Sequence, residues 1–245
     1  MNRYKDLFID FDDTLYDTHG NAILALQELY ADFHLDRYFA TPADFTVPYW
    51  ETNVELWDLY ARGLIERDYL IVERFRRPLA KGRVLVDGRE EPFDPTREYC
   101  LEVSDHFLDL CACKPGVVPG AHELVAALRA AGYRMHICSN GFHEVQYRKL
   151  RACGLLDSFD SIILSEDAGA NKPSSQFFDY AFHQTGASPA STLMIGDNFQ
   201  TDILGARAAG LDVMFFNRKP STFVAPEPVD YEVHSLAEVA DILVK

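Results

Sequence analysis

The stretch LFIDFDDTLYD, near the start of the chain, joins an apolar run directly to several carboxylates. Asp10, Asp12 and Asp13 follow the apolar residues 7–9, and Asp17 comes shortly after them. Like charges this close repel one another, and removing them from water adds a further cost. A bound cation, or a reaction that uses carboxylates, explains the arrangement. A strand that ends in a solvated acidic turn explains it as well.

Three more apolar runs end in polar side chains. The run MHIC is followed by Ser139 and Asn140, and the run IILS is followed by Lys172. The run LMIG is followed by Asp197 and, within the segment GDNFQTD, by Asp202. If these runs share one sheet edge with the first, carboxylates, a hydroxyl group and a lysine would meet in a reaction centre.

The periodicity of the apolar residues predicts the elements that must position these side chains. From the segment CKPGVVPG at 113–120 onward, short apolar strands alternate with helical segments. This alternation predicts a doubly wound α/β fold, in which helices cover both faces of a parallel sheet that includes the first strand. Such sheets bind ligands at the carboxyl ends of their strands, so all four polar segments are expected at one edge.

The segment between the first strand and the alternating region has helical spacing, as in Ile23, Leu26, Tyr30 and Phe33. We therefore predict a core domain formed by residues 1–16 and 115–245, with residues 17–114 inserted as a helical domain. The short run VLV at 84–86 fits either a small hairpin or a loop, and the pattern does not decide between them.

Composition and charge limit the possible partners. The chain has 245 residues, 48% of them hydrophobic, and a formal net charge of -15. The hydrophobic content is typical of globular domains, and so acidic a surface argues against a nucleic acid polymer or an anionic membrane as partner. A small anionic substrate stays possible, because a metal ion and one lysine reverse the local field. The sequence leaves the oligomeric state open.

The cysteines and the apolar runs indicate the cellular location. The five cysteines are odd in number and form no CxxC pair, which is typical of reduced thiols. No apolar stretch of the sequence is long enough to span a bilayer, and Asp10 interrupts the first apolar run before it reaches signal-peptide length. These observations predict a cytoplasmic protein.

The four motifs together resemble the haloacid dehalogenase (HAD) superfamily. That superfamily combines a strand ending in DxDxT, a strand ending in Ser or Thr, a Lys often followed by Pro, and GDxxxxD. All four occur here in order, over residues 7–16 and about 119–217. The resemblance implies a Rossmann-like core and identifies the inserted domain with the family's α-helical C1 cap. Asp13 stands where the family most often has Gly and is expected to be a solvated turn residue.

The resemblance also implies a magnesium-dependent phosphatase site. Asp10 corresponds to the nucleophile that forms an aspartyl-phosphate, and Asp12 to the general acid and base. Asp10, Asp197 and the backbone carbonyl of Asp12 correspond to the ligands of a Mg²⁺ ion, which prefers hard oxygen donors.

The other motif residues correspond to groups around the phosphate. Ser139 and the Asn140 backbone would hold the transferring phosphoryl group, and Lys172 would neutralise its oxygens. Thr14 is grouped with these phosphate-binding residues and would brace the loop. Asp202 would orient Lys172 or hold a metal-bound water, although an ordinary role at a helix start fits it too.

Longer stretches resemble one phosphatase subgroup, the C1-capped 5'-nucleotidases that act on pyrimidine nucleoside monophosphates. The similarity lies in VPYWETNVELWDLYARGLIERDYLIVERF, in PGAHELVAALRAAGYRMHICSNGF and in SEDAGANKPSSQFFDYA. The expected substrate is accordingly a small phosphorylated metabolite such as a nucleoside monophosphate. Trp50 and Arg74 are the candidate substrate residues of the cap, while packing within the cap is the alternative for Trp50.

Other activities of the superfamily remain open. A sugar-phosphate phosphatase and a β-phosphoglucomutase-like phosphomutase both keep the two aspartates, so the core motifs do not separate them from a nucleotidase. A 2-haloacid dehalogenase lacks a carboxylate two residues after the nucleophile, and Asp12 argues against that chemistry. A non-catalytic scaffold is disfavoured because Asp10, Asp12, Lys172 and Asp197 are all present.

Overall fold

The computed structural model describes residues 3–244 and divides the chain into two compact units. Residues Met1–Thr18 and Pro115–Lys245 form the first, here called the core unit. Residues His19–Lys114 form the second, the helical unit.

The elements follow one another along the chain in this order: β1 (Asp6–Ile9), α1 (Thr18–Asp32), α2 (Pro42–Ala61), α3 (Arg67–Leu79), β2 (Arg83–Val86), β3 (Arg89–Pro92), α4 (Arg97–Ala112), α5 (Ala121–Ala130), β4 (Arg134–Ser139), α6 (His143–Ala152), β5 (Ser161–Leu164), α7 (Ser165–Ala168), α8 (Ser175–Thr185), β6 (Thr192–Gly196), α9 (Gly205–Ala208), β7 (Asp212–Phe216), β8 (Tyr231–Val233) and α10 (Leu236–Leu243). A π-helical segment, Phe199–Leu204, leads directly into α9.

The core unit is built on a six-stranded sheet in the order β5-β4-β1-β6-β7-β8. Every neighbouring pair in it is parallel. The strand β1 lies inside the sheet, where Ile9 is opposite Ile137 of β4 and Ile195 of β6. All of the carboxyl ends therefore meet at one edge, as the strand-helix alternation predicts. The short strand β8 at the far side was not predicted from the sequence.

Alternation along β1 creates two hydrophobic cores, one on each face of the sheet. Leu7 and Ile9 belong to the core that α5 and α10 cover, whereas Phe8 belongs to the core that α8 covers. All of β1 is buried, which explains its uninterrupted apolar run. The doubly wound α/β fold expected from the sequence is thus confirmed.

The helical unit consists of α2, α3, α4, most of α1 and a small hairpin. A cluster of aromatic rings lies in its core, where the ring of Phe75 lies 5.3 Å from those of Tyr49 and Phe107, measured between centroids. Two of its helices begin at sequence signals that favour helix starts. Thr41 and the side chain of Asp44 form a capping box before α2, and the hydroxyl of Thr96 caps α4.

The run VLV belongs to the hairpin formed by β2 and β3, which decides between the two structures left open for it. The two connecting residues, Asp87 and Gly88, have φ angles of 51° and 76°. Positive φ at both positions is the geometry of a tight two-residue turn, and the pair Asp-Gly favours it. Throughout residues 3–244, the helices are too short or too polar to cross a membrane.

Candidate active site

The ends of β1 and β6 place two aspartates side by side. The backbone N–H of Asp10 donates to the carbonyl of Ile195 at 2.9 Å, so the ladder between the strands continues one residue beyond β1. Thr14 lies between the two carboxylates: its Oγ1 is 3.1 Å from Asp10 Oδ2 and 3.3 Å from Asp197 Oδ1. The same oxygen accepts from the backbone N–H of Asp197 at 3.1 Å. Thr14 thus holds the loop after β1 against the end of β6.

Lys172 is a buried cation with all of its donors in use. Its Nζ donates to Asp10 Oδ1 at 2.8 Å, to Asp202 Oδ1 at 2.7 Å and to the carbonyl of Cys138 at 2.6 Å. An ammonium group has three donors, so this set satisfies it. Burial opposes the charge, but the carboxylates of Asp10 and Asp202 outweigh that effect and raise the pKa of Lys172. The lysine therefore stays charged beside Asp10.

The side chain of Asn140 holds the backbone of Lys172 in place. Asn140 Oδ1 accepts from the backbone N–H of Lys172 at 2.8 Å, and Asn140 Nδ2 donates to the Lys172 carbonyl at 2.9 Å. This double contact joins the loop after β4 to the segment that carries the lysine. The sequence suggested only a backbone role for Asn140, so the fixing of Lys172 by its side chain is an addition.

Asp202 lies in the π-helical segment, where one of its oxygens binds Lys172 and the other binds the backbone. Its Oδ1 receives the lysine, and its Oδ2 accepts from the backbone N–H of Asn198 at 3.1 Å. The position is near a helix start, as the simpler interpretation of the motif has it, but the carboxylate also contacts Lys172. A Cβ atom on Gly196 would clash with the Asp202 carboxylate, so a glycine at the end of β6 makes room for it.

Asp10, Asp197 and Asp202 form an acidic cluster in which one oxygen from each lies within 4.8 Å of the others. Burial raises the pKa of Asp10 to about 7, although Lys172 acts in the opposite direction. Burial, reinforced by the charges of Asp10 and Asp202, raises the pKa of Asp197 well above its usual range. Asp202 receives two separate donors, Lys172 and the backbone N–H of Asn198. The single hydroxyl proton of Thr14, in contrast, can serve only one of Asp10 Oδ2 and Asp197 Oδ1. Asp10 and Asp197 are therefore the pair suited to a divalent cation.

Asp12 lies beside the cluster and has its own donors. Lys149 Nζ and Thr18 Oγ1 each lie 2.6 Å from Asp12 Oδ1, and Gln146 Nε2 donates to Asp12 Oδ2. Burial opposes ionisation of Asp12, but the charge of Lys149 and these hydrogen bonds outweigh it and lower the pKa of the carboxyl group.

Gln146 and Lys149 were not predicted from the sequence. Both belong to α6 and are buried there together with Val145 and Leu150. The inward face of the helix thus carries an amide and an ammonium group at positions where apolar residues are usual. Polar residues three apart on the apolar face, directly after the segment SNG, were the available signal.

Ser139 ends β4 and is connected to Asp12 through Gln146. Its Oγ accepts from the backbone N–H of Gly141 at 3.0 Å and from Gln146 Nε2 at 2.7 Å. A Cβ atom on Gly141 would clash with the Gln146 side chain, so the glycine after Asn140 is needed for this contact. Because Ser139 Oγ accepts both of these hydrogen bonds, its own proton points away from the two donors.

Asp13 has a φ angle of 59°, the left-handed conformation in which glycine is favoured and aspartate is tolerated. This explains the family preference at the position. The expected solvated turn residue is, however, half-buried and paired. Arg218 Nη1 lies 3.2 Å from Asp13 Oδ1, and Arg218 Nη2 lies 3.3 Å from Asp17 Oδ1. Arg218 was not among the residues singled out in the sequence.

The two cap candidates belong to the helical unit. Arg74 is 2% exposed, donates to Ser104 Oγ at 3.1 Å and lies 5.3 Å from the ring centroids of Phe75 and Phe107. Its Nε has no hydrogen-bond partner among the described residues. Trp50 is half-buried, and its ring lies 4.4 Å from that of His19. Packing against His19 therefore accounts for part of the burial of Trp50. Substrate binding by Trp50 or Arg74 stays a prediction.

Comparison with known proteins gives matches that cover most or nearly all of the chain. The family model described as haloacid dehalogenase-like hydrolase matches residues 4–210. The HAD-hydrolase YfnB of Bacillus subtilis is 32% identical and is aligned over 99% of this chain and 97% of its own. The pyrimidine 5'-nucleotidase YjjG of Escherichia coli is 32% identical over 98% of this chain and 97% of its own.

Two further matches concern a second substrate and a metal. A glyceraldehyde 3-phosphate phosphatase of Methanothermobacter thermautotrophicus is 30% identical over 87% of this chain and 85% of its own. Among solved structures, the magnesium-bound crystal structure of Bacillus subtilis YfnB superimposes with a TM-score of 0.83 at 29% identity, covering 98% of this chain and 99% of that one.

Proposed function

This chain belongs to the haloacid dehalogenase-like hydrolase family, and on that premise we propose that it is a magnesium-dependent phosphomonoesterase that acts through an aspartyl-phosphate on Asp10. Its family and its named relatives make it an enzyme of the phosphatase type. One observation carries the mechanism: the buried Lys172 joins Asp10 to Asp202, while Asp197 lies beside Asp10.

The metal belongs to the proposal because the donor set fits it. Two carboxylates lie together whose pKa values are raised by burial and, further, by the charges of neighbouring aspartates, and a divalent cation would offset both effects. Asp10, Asp197 and the carbonyl of Asp12 would hold the ion. Magnesium prefers such hard oxygen donors, and when bound it would neutralise charge on the phosphate.

Asp10 is the proposed nucleophile. Its Oδ1 is fixed by Lys172 and its Oδ2 lies near Thr14, so the carboxylate is held at the end of β1 and cannot rotate freely. Attack of an Asp10 oxygen on phosphorus forms the aspartyl-phosphate as the ester P–O bond breaks. The Ser139 hydroxyl and the backbone at Asn140 would bind the phosphoryl oxygens. Charge neutralisation and positioning dominate the catalysis of phosphoryl transfer.

Asp12 is the proposed acid and base. Its pKa is lowered in the free protein, so Asp12 would take up a proton from solvent and, in the first step, would give it to the leaving oxygen, which departs as an alcohol. In the second step, it would take a proton from the water that attacks the aspartyl-phosphate, which releases phosphate and restores Asp10. The cycle returns Asp12 to its protonated form, so the two steps balance.

The substrate proposed first is a pyrimidine nucleoside 5'-monophosphate. Support comes from the relative YjjG and from the pyrimidine 5'-nucleotidase PynA of Streptococcus pneumoniae, which is aligned over 99% of this chain. A small sugar phosphate is the second candidate, because several relatives are named glyceraldehyde 3-phosphate phosphatase. In the first case Trp50 and Arg74 would contact the nucleoside.

A panel of substrates tests the proposal. Purified protein with magnesium would be given pyrimidine and purine nucleoside monophosphates, glyceraldehyde 3-phosphate, a hexose 1-phosphate and 2-chloropropionate. We expect phosphate release that is fastest from a pyrimidine nucleotide, lost with excess chelator and lost in Asp10→Asn. Faster release from the triose phosphate would favour the second candidate. Halide release, or an isomerised hexose phosphate without free phosphate, would contradict a phosphatase.

A further inference from the structure

The Asp12 carboxylate has an uneven set of hydrogen bonds. An ionised carboxylate offers about two acceptor positions on each oxygen. Asp12 Oδ1 receives both Lys149 and Thr18, so its two positions are filled. Among the described residues, Asp12 Oδ2 receives only Gln146, so one position on that oxygen remains. The side chain is partly exposed, which leaves that position reachable by a small molecule.

The orientation of Gln146 follows from its neighbours. Its Nε2 donates to Ser139 Oγ and to Asp12 Oδ2, and only the nitrogen end of an amide can face a carboxylate. Its Oε1 is buried and has no partner among the described residues. The amide is therefore placed for its two donors and not for its acceptor. Gly141 provides the space for this placement, since a side chain there would overlap Gln146.

Lys149, like the amide of Gln146, is buried and fixed by its contact with Asp12. It is 8% exposed, and its Nζ lies 2.6 Å from Asp12 Oδ1 and 5.1 Å from the centroid of the Tyr16 ring. Burial of a lysine with one carboxylate partner is costly unless the pair is well placed. The helix α6 thus presents two fixed groups, Gln146 and Lys149, to the two oxygens of one carboxylate.

From this geometry we infer that Lys149 and Gln146 are positioning residues that make Asp12 Oδ2 the oxygen that transfers the proton. The inference rests on the proposed role of Asp12. With Oδ1 filled, a proton on Oδ2 is the one that passes to the leaving oxygen as the P–O bond breaks. The same oxygen then takes a proton from the attacking water. Because Gln146 also holds Ser139, it fixes the distance between the acid and a group that binds the phosphate.

The test separates positioning from stability by comparing leaving groups. An alkyl phosphate such as a nucleotide needs a proton on its departing oxygen, whereas p-nitrophenyl phosphate needs little. The rate of first alcohol release would be measured in single-turnover experiments with saturating magnesium. The variants are Lys149→Met, Lys149→Arg and, as a matched control on the same helix, Arg151→Met, which replaces an exposed cation.

We expect Lys149→Met to slow alcohol release from the nucleotide roughly 10- to 100-fold, since general acid catalysis is commonly worth about 10²–10⁴-fold in total. Release of p-nitrophenol should fall less than about threefold, and KM should barely change. Lys149→Arg should recover part of the loss, and Arg151→Met should behave as wild type. Equal losses with both esters, or no recovery with arginine, would overturn the role of Lys149.

A double-mutant cycle identifies the group through which Lys149 acts. In an Asp12→Asn background, Lys149→Met should cause no further loss, because the proton donor is already absent. A further loss of the same size would show that Lys149 does not act through Asp12 and would refute the inference. Thermal unfolding midpoints of all variants would be measured, so that a folding defect is seen separately.

Gln146→Leu has a different signature because the amide serves two residues. We expect a lower rate of alcohol release from the nucleotide together with a higher KM for both esters, since Ser139 loses its donor as well. An unchanged KM and an unchanged rate would contradict the role of Gln146. Failure of the proposed function looks different again: wild-type protein would then release phosphate from neither ester.

Discussion

Lys172 Nζ lies 2.8 Å from Asp10 Oδ1, and the two side chains are 2% and 10% exposed. Charges buried to this extent stabilise each other only as a set, because each one alone would be costly to remove from water. Asp202 completes the set at 2.7 Å from the same nitrogen. The nucleophile proposed for the reaction is therefore held by a group that is also part of the core of the protein.

Removing the cation should affect both activity and folding. We expect Lys172→Met to lower kcat by at least about 10²-fold, since loss of one charge-stabilising group commonly has that effect. The free energy of unfolding should fall by about 3–5 kcal/mol, because a buried pair loses one partner. Steady-state kinetics and urea titration measure the two quantities. Lys5→Met removes an exposed lysine next to β1 and should leave both unchanged.

Metal binding should become tighter as the pH rises through about 7. Asp10 and Asp197 have raised pKa values, so below that pH the cation must displace protons to bind. Titration calorimetry with magnesium in buffers of different ionisation enthalpy would detect the released protons. Asp197→Asn removes one of the two groups and should weaken both the binding and its dependence on pH. A pH-independent affinity would contradict the proposed pair of ligands.

The stability of the metal-free protein should fall over the same range. The native pKa of Asp10 is about 7, against 3.8 for an unperturbed aspartate, so the folded chain binds more protons than the unfolded one between these values. The contribution of Asp10 to stability is then highest at the acidic end, declines as the pH rises from about 4 to about 7, and changes little above that. Calorimetric unfolding in chelator at about pH 6 and pH 8 measures this, and magnesium should restore more stability at pH 8.

Gly196→Ala should disturb the site through Asp202. The added methyl group overlaps the Asp202 carboxylate, which must then move away from Lys172. We expect a loss of activity and a lower unfolding midpoint. In Gly196→Ala combined with Asp202→Ala the overlap disappears. The loss of stability in the double variant should therefore be smaller than the sum of the losses in the two single variants. Strict additivity would mean that the methyl group is accommodated elsewhere.

Arg74→Met separates a substrate role from a packing role. The arginine is buried and has no carboxylate partner among residues 3–244, so methionine should change the free energy of unfolding by no more than about 1 kcal/mol. If Arg74 contacts a nucleotide, kcat/KM for that substrate should fall about tenfold or more, while p-nitrophenyl phosphate is hydrolysed as before. Arg62→Met is the control, because it removes an exposed arginine of the same unit. A large loss of stability with unchanged kinetics would assign Arg74 to packing alone.

The sequence predicted the elements whose patterns are local. The apolar run of β1 and the strand-helix alternation after it predicted the sheet and its reactive edge, because parallel strands bury both faces. The motif residues Asp10, Lys172 and Asp197 were found at that edge, since each directly follows or lies soon after an apolar strand.

What the sequence did not predict depends on contacts between distant residues. Gln146 and Lys149 have ordinary helical spacing, and their importance appears only when β1 brings Asp12 beside α6. Arg218 pairs with Asp13 across 205 residues. The strand β8 has three residues, too few for a periodic pattern to stand out.

The inner position of β1 has a consequence for synthesis of the chain. Residues 6–9 pair with residues 134–137 and 192–195, so the first strand to leave the ribosome obtains its second neighbour only when β6 has been made. At roughly 5–20 residues per second, its second neighbour follows about 10–40 s later. During that time Leu7, Phe8 and Ile9 have no sheet on at least one side. A nascent chain arrested before Thr192 should therefore be cut near β1 by added protease, and one arrested well beyond Gly196 should resist.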